Sequence, residues 1–252
     1  MPDAIIRVEN MTAAYGDSVV LDRLNFEVNR GEIFVVLGGS GCGKSTLLKH
    51  MIGLYRPASG NIWIDSMDIA SAQGLARSEI LKKIGVMYQS GALFGSRSLS
   101  ENVKLPLEEF TALPEDAMDL LAWSKLKLVG LDRYLHHLPS QVSGGMQKRA
   151  AIARAMALDP CVLFLDEPSA GLDPVTSADL DTLIKRLNQA LGLTFVIVTH
   201  ELPSIYSLAD RVIMLDSATK SIIAEGDPAY LRDHSADPRV RQFFLRQSHE
   251  TP

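Results

Sequence analysis

The sequence predicts an α/β fold: a mainly parallel sheet, an antiparallel β region at the N-terminus and an inserted α-helical segment. Three observations predict it. Short apolar runs with β-branched members alternate with stretches of helical period, the pattern of a parallel sheet covered on both faces. The first 35 or so residues alternate with the strand period instead. Between about residues 91 and 155 strand signals fade and helix signals follow one another.

In chain order, Ile6, Val8 and Met11, then Val20, Leu24, Phe26 and Val28, mark strands, and Asn29-Arg30-Gly31 marks a turn. Ile33 to Leu37 is a continuous apolar run, as in a strand buried on both faces. A glycine-rich loop follows, then Ser45 to Ile52 reads as a helix that Gly53 stops. Past Pro57 and Gly60, Ile62 and Ile64 resume a strand with Trp63 on its other face. Ser98-Leu99-Ser100-Glu101 fits a capping box, a hydroxyl N-cap with a glutamate three residues on. Pro114, Glu115 and Asp116 open a second helix carrying Met118, Leu121, Leu126 and Val129. Ser143-Gly144-Gly145 opens a third, with Met146, Ala150, Ala153 and Ala157 at helical spacing.

The alternation then returns: Val162 to Leu165 as a strand, Thr176 to Leu191 as a helix, Phe195 to Val198 as a strand. Arg211 to Leu215 and Ser221 to Ala224 read as a hairpin. A short helix starting at Pro238 places Val240, Phe243 and Phe244 on one face. Two phenylalanines left in water are unfavourable, so the expected cover is a partner subunit or a small regulatory protein.

Composition narrows the function. The 252 residues are 46% hydrophobic and 22% charged, and 25 basic against 30 acidic side chains give a net charge of −5. Proteins that live on nucleic-acid phosphates show a basic excess, so no nucleic-acid partner is expected. No run approaches the ~20 apolar residues that span a bilayer. The N-terminus lacks a basic segment followed by an apolar one, so no secretory signal is expected. The two cysteines, Cys42 and Cys161, have neither disulfide-framework nor metal-ligand spacing and read as reduced thiols of a cytosolic protein. His50, His136, His137, His234 and His249 do not cluster and read as surface or packing residues.

Gly38-Gly39-Ser40-Gly41-Cys42-Gly43-Lys44-Ser45 matches G-x-x-x-x-G-K-[ST], directly after a buried strand and at the opening of a helix. The core is therefore expected to be a phosphate-loop NTPase. Glycines let the loop curl so that consecutive N–H groups face an anion, and the helix N-terminus adds partial positive charge. Lys44 reaches the β- and γ-phosphates and the Ser45 hydroxyl ligates Mg2+. Gly38, Ser40, Gly41, Cys42, Gly43, Lys44, Ser45 and Thr46 are the expected nucleotide contacts.

Cys161 to Glu167 is a second buried strand, ending in two carboxylates. Ligands of open α/β sheets bind at the carboxyl ends of strands. Asp166 is expected to hold Mg2+ through water, and Glu167 to polarise the attacking water. Alone, this run reads first as an ordinary acidic turn after a strand; the phosphate loop favours the catalytic reading.

The order phosphate loop, Gln89, Ser143-Gly144-Gly145, Asp166-Glu167 and His200 resembles the nucleotide-binding subunit of an ABC transporter over about residues 5–230. The resemblance implies ATP with Mg2+ and a homodimer. It divides the chain into an ATPase domain, 1–230, and a C-terminal extension, 231–252. Within the ATPase domain, 1–90 and 156–230 form the core and β subdomain and 91–155 the helical subdomain. Tyr15 matches the aromatic that stacks on adenine, though an aromatic at a strand end is common. Gln89 matches the glutamine that touches Mg2+ and the attacking water, and His200 the histidine that hydrogen-bonds the γ-phosphate. Ser143, Gly144 and Gly145 match the signature that faces the γ-phosphate bound by the other subunit; they also read simply as an N-cap and two small residues. Asp173, in Ser169-Ala170-Gly171-Leu172-Asp173, matches the loop that crosses the dimer seam, or a plain loop ahead of a helix. The signature departs from Leu-Ser-Gly-Gly-Gln: Val142 replaces Leu, and Met146 cannot make the glutamine's hydrogen bonds.

The runs Tyr88 to Phe94, Val142 to Met146, Glu167 to Pro174 and Thr199 to Leu202 resemble lipid-transport ATPases of the Mla type. That resemblance implies an integral membrane permease, an Mce-domain lipid-binding protein, a small regulatory protein and a place on the cytoplasmic face of the inner membrane. Leu93 and Phe94 either floor the permease-docking groove or pack beneath the helical insert. Amino-acid or other small-solute importers are the nearest rival family, and a nucleotide-gated scaffold of a cell-envelope complex is a third reading.

Overall fold

The structure is a computed structural model that describes residues 3–246. The chain divides into two compact units, Met1–Ala72 with Val196–Pro252, and Gln73–Phe195.

The first unit begins with β1 (Ala4–Tyr15) and β2 (Ser18–Asn29), an antiparallel pair, followed by β3 (Ile33–Gly38), α1 (Lys44–Met51), β4 (Ser59–Ile64) and β5 (Met67–Asp68). Strands β2-β1-β4-β5 form an antiparallel sheet in that order. Ile6, Val8, Met11, Leu24, Phe26 and Val28 are buried, as the alternation predicts. Val20 is only half-buried and Leu21 takes the core position, because a register shift beside Arg23 (φ +47°) breaks the alternation. Every residue of β3 is buried.

The second unit carries α2 (Gly74–Lys82), β6 (Ile84–Met87), α3 (Leu99–Phe110), α4 (Glu115–Leu128), α5 (Gly144–Ala155), β7 (Val162–Asp166) and α6 (Pro174–Leu191). Strand β8 (Thr194–Val198) straddles the division. The chain then returns to the first unit with α7 (Leu202–Leu208), β9 (Arg211–Asp216), β10 (Ser221–Gly226), α8 (Pro228–His234) and α9 (Pro238–Leu245). A second sheet has six strands in the order β10-β9-β3-β8-β7-β6. Pairs β3–β9 and β6–β7 are parallel, and β9–β10 is an antiparallel hairpin.

The capping box forms as the sequence predicts. The Ser98 hydroxyl accepts from the Glu101 amide at 3.2 Å, and the Glu101 carboxylate accepts from the Ser98 amide at 2.6 Å. In the first unit Arg211 forks onto both oxygens of buried Glu32, at 2.7 and 3.0 Å, and ties the starts of β3 and β9 together.

The structure departs from expectation at the C-terminal helix. Val240 is fully buried and Phe244 nearly so, within their own unit, and Phe244 packs on Tyr206 with ring centroids 5.9 Å apart. The apolar face of α9 is thus covered by the same chain, and only Phe243 stays half-buried. His249 and the rest of 247–252 lie outside the described residues. The sequence pattern also gave no sign of α2, which buries only Ile80 and therefore shows no apolar stripe.

Candidate functional site

In the first unit, β3 delivers the chain into the glycine-rich loop. Gly38, Gly41 and Gly43 have φ of +146°, +75° and +103°, values that side chains rarely adopt. At Gly38 a Cβ would also lie under 3.0 Å from the Leu215 carbonyl oxygen and the Cys42 sulfur. Gly43 caps α1 with no side chain, so the first amides of the helix remain available for an anion. Lys44 Nζ curls back to donate to the carbonyls of Gly38 and Gly39 at 2.8 and 2.9 Å, which holds its charge inside the loop. Ser40, Gly41 and Ser45 are exposed and Thr46 half-buried. The Cys42 thiol is pushed up by burial, with the Lys44 charge opposing, so it stays protonated.

A cavity of about 360 Å³ flanks this loop, lined by Ser40, Cys42, Asp216, Arg239 and Phe243 among others. Arg239 on α9 reaches Asp216 at 2.8 Å, so the C-terminal helix meets the sheet beside the phosphate loop. His200 belongs to the same unit. The amide of Thr199 donates to the Val36 carbonyl of β3 at 3.4 Å, which sets the exposed His200 at the carboxyl end of the strand feeding the loop. Tyr15 ends β1 with 48% of its surface exposed.

In the second unit, Met87 pairs with Leu165, so Gln89 and Asp166 leave the same edge of one parallel strand pair. Asp166 ends β7, and Glu167 turns out of it at φ +45°, the left-handed region that a non-glycine residue enters only under constraint. Burial and then the Asp166 charge push the hydroxyl of Tyr88, the residue before Gln89, up, with the Arg154 charge opposing. The Ser143 hydroxyl caps α5, accepting from the Met146 amide at 3.3 Å. Gly144 is exposed and Gly145 buried. Asp173 caps α6, accepting from the amides of Val175 and Thr176 at 3.0 and 3.1 Å and from the Thr176 hydroxyl at 2.5 Å. The Thr176 hydroxyl, more than the amides, holds the exposed Asp173 carboxyl below its usual range.

The phosphate loop, His200 and Tyr15 therefore belong to one unit, and Gln89, Asp166, Glu167, Ser143 to Gly145 and Asp173 to the other. Each unit by itself offers hard oxygen donors, the Ser45 hydroxyl in the first and the Gln89 amide oxygen and Asp166 carboxylate in the second. Donors of this kind fit Mg2+, which is bound through one or two carboxylates together with phosphate oxygens and water.

Sequence reasoning missed two residues here. Lys148 on α5 is buried and its ammonium donates to the main-chain carbonyl of Gln89. Burial lowers its pKa, while the charges of Asp166 and Glu167 pull the other way. Two turns further on, Arg154 donates to the carbonyls of Gly91 and Ala92 at 2.8 and 2.7 Å. The signature helix thus clasps the backbone of the Gln89 loop. The available signal was charge on a buried helical stripe, Lys148 beside Ala151 and Arg154 beside Ala150, which demands a polar partner.

A family model described as ABC transporter matches residues 21–170. The chain is 42% identical, over 98% of its own length and 93% of the other, to the intermembrane phospholipid transport system ATP-binding protein MlaF of Haemophilus influenzae. It is 38% identical to the protein of the same name in Escherichia coli K12, over 95% of this chain and 88% of that one. Among solved structures it resembles the dimeric, post-hydrolysis state of the ATP-binding cassette MJ0796 bound to ADP and Pi. The TM-score is 0.78 and the identity 32%, covering 88% of this chain and 98% of that one.

Proposed function

Because the chain belongs to the ABC transporter family of ATP-binding proteins, we propose that it binds and hydrolyses ATP as a homodimer to power lipid movement by a membrane permease. The observation that carries this is the phosphate loop: positive-φ glycines, an uncapped helix start and a lysine held within the curl. The lipid class is supported by the likeness to phospholipid-transport ATPases, which spans nearly the whole of both chains.

In this function the loop from Gly38 to Thr46 grips the phosphates and Tyr15 stacks on adenine. Ser143, Gly144 and Gly145 of a second copy close the site with the partial positive charge of a helix N-terminus. Glu167 takes a proton from water as the water oxygen bonds to the γ-phosphorus. The bond from that phosphorus to the bridging oxygen breaks, leaving ADP and phosphate. Gln89 orients the water, His200 hydrogen-bonds the γ-phosphate, and Asp173 organises the opposite site. Ser45, Gln89 and Asp166 would hold Mg2+, which when bound neutralises phosphate charge.

No helix of the described residues is long and apolar enough to cross a membrane, so movement of lipid needs a membrane partner. Phe94, 57% exposed beside the Gln89 loop, is the proposed permease contact at the cytoplasmic face of the inner membrane. An Mce-domain lipid-binding protein and a small regulatory protein complete the proposed assembly.

Glu167→Gln tests the chemistry. It should bind ATP, lose turnover by about 10²-fold or more, and accumulate as a dimer in sedimentation with ATP. Turnover at the parent rate would remove Glu167 as the base. Replacement of Lys44 should weaken nucleotide binding and turnover together. Co-purification from membranes, with the partners identified by mass, tests the permease.

A further inference from the structure

Tyr55 lies just past α1, on a segment whose backbone folds back onto the helix. The amides of Leu54 and Tyr55 both donate to the Lys49 carbonyl, at 2.8 and 3.2 Å. Tyr55 is 43% exposed as a residue, yet its ring is held on three sides. Tyr15 meets it edge to face, with centroids 6.0 Å apart and planes at 89°. His50 lies against it at 6.0 Å, and the Lys49 ammonium stands 5.7 Å from its centroid. His50 is itself buried and fixed, with Nδ1 2.7 Å from the Thr46 carbonyl oxygen. An unbroken series of contacts therefore runs from Tyr15 through Tyr55 and His50 to the first turn of the phosphate-loop helix.

We infer that Tyr55 is a positioning residue for the nucleotide base: it sets the plane of the Tyr15 ring and ties that plane to the phosphate loop. This rests on Tyr15 being the surface on which the base stacks. A tyrosine at a strand end, half in water, is free to turn about χ1, and ordering it on binding lowers affinity. The edge-to-face contact with a ring already anchored to α1 orders it beforehand. Tyr55 follows the C-terminal end of α1, away from the helix start that faces the phosphate loop, so its effect falls on base-dependent affinity.

The experiment compares ATP with inorganic tripolyphosphate, which has the charge and no base. Binding of both to the whole chain is measured by calorimetry for the parent, Tyr15→Ala, Tyr55→Ala, Tyr55→Phe and the Tyr15→Ala/Tyr55→Ala double variant. Tyr55→Ala should weaken ATP binding by up to about tenfold and leave tripolyphosphate binding unchanged. Tyr55→Phe, which keeps the ring, should restore ATP affinity. The double variant should bind ATP no more weakly than Tyr15→Ala alone, because the two rings act as one unit. In steady-state assays KM for ATP should rise with kcat held. If Tyr15→Ala weakens ATP selectively but Tyr55→Ala does not, or weakens both ligands alike, the role given to Tyr55 falls while Tyr15 keeps its own. If Tyr15→Ala leaves ATP affinity unchanged, the stacking surface itself is wrong and the inference falls with it.

Discussion

Gly145 and Thr176 are in direct contact: a Cβ on Gly145 would lie under 3.0 Å from Thr176 Cγ2. Thr176 is also the residue whose hydroxyl and amide fill the Asp173 cap. The second glycine of the signature and the cap of α6 thus meet at one threonine, the glycine at its methyl and the cap at its hydroxyl and amide. This gives Gly145 a packing role that is independent of phosphate. Gly145→Ala should destabilise the protein by about 1–3 kcal/mol, the range for overpacking a tight site. Adding Thr176→Ser, which removes Cγ2 and keeps the hydroxyl on Asp173, should recover most of that loss in urea unfolding. Equal midpoints for Gly145→Ala and the parent would show the contact to be slack.

The C-terminal helix makes a second test. Val240 and Phe244 are buried by their own chain, with Tyr206 against Phe244, and Arg239 joins Asp216 beside the phosphate loop. Phe244→Ala should therefore lower stability by about 3 kcal/mol, as large-to-small core changes do. Truncation after Asp233 should lower the urea midpoint of the chain before any partner is present. Half-buried Phe243 should tolerate alanine better. An unchanged midpoint on truncation would return the helix to the role of an interface with another protein.

These contacts mark where sequence reading stops. Strands such as Ile33–Gly38 and the phosphate loop are legible because their signals are local: an apolar run, then glycines at fixed spacing. The capping box at Ser98 is legible for the same reason. The clasp of Lys148 on Gln89 joins positions 59 apart in the chain, and no local pattern encodes the pairing. For α9 the pattern reveals an apolar face and is silent on what covers it. Glu167 is the sharpest case. Its left-handed backbone is imposed by its surroundings, and glutamate carries none of the conformational signal that a glycine there would give.

The capping box also predicts a pH dependence. Glu101 accepts from the Ser98 amide at 2.6 Å, and this bond is the main cause of a carboxyl pKa below the usual glutamate value. The Ser98 hydroxyl and the charges of Arg97 and Lys104 lower it further. A carboxyl whose pKa is depressed on folding stabilises the protein above its unfolded pKa, about 4.3 for glutamate, and loses that contribution as pH falls through the folded value. Glu101→Gln keeps an acceptor oxygen but cannot titrate. Other carboxylates titrate in the same range, so the informative quantity is the difference in urea midpoint between the parent and Glu101→Gln. The parent should lead at pH 6, and its lead should shrink steadily between about pH 5 and pH 3. A difference that stays constant across that range would mean that the Glu101 charge contributes nothing to the start of α3.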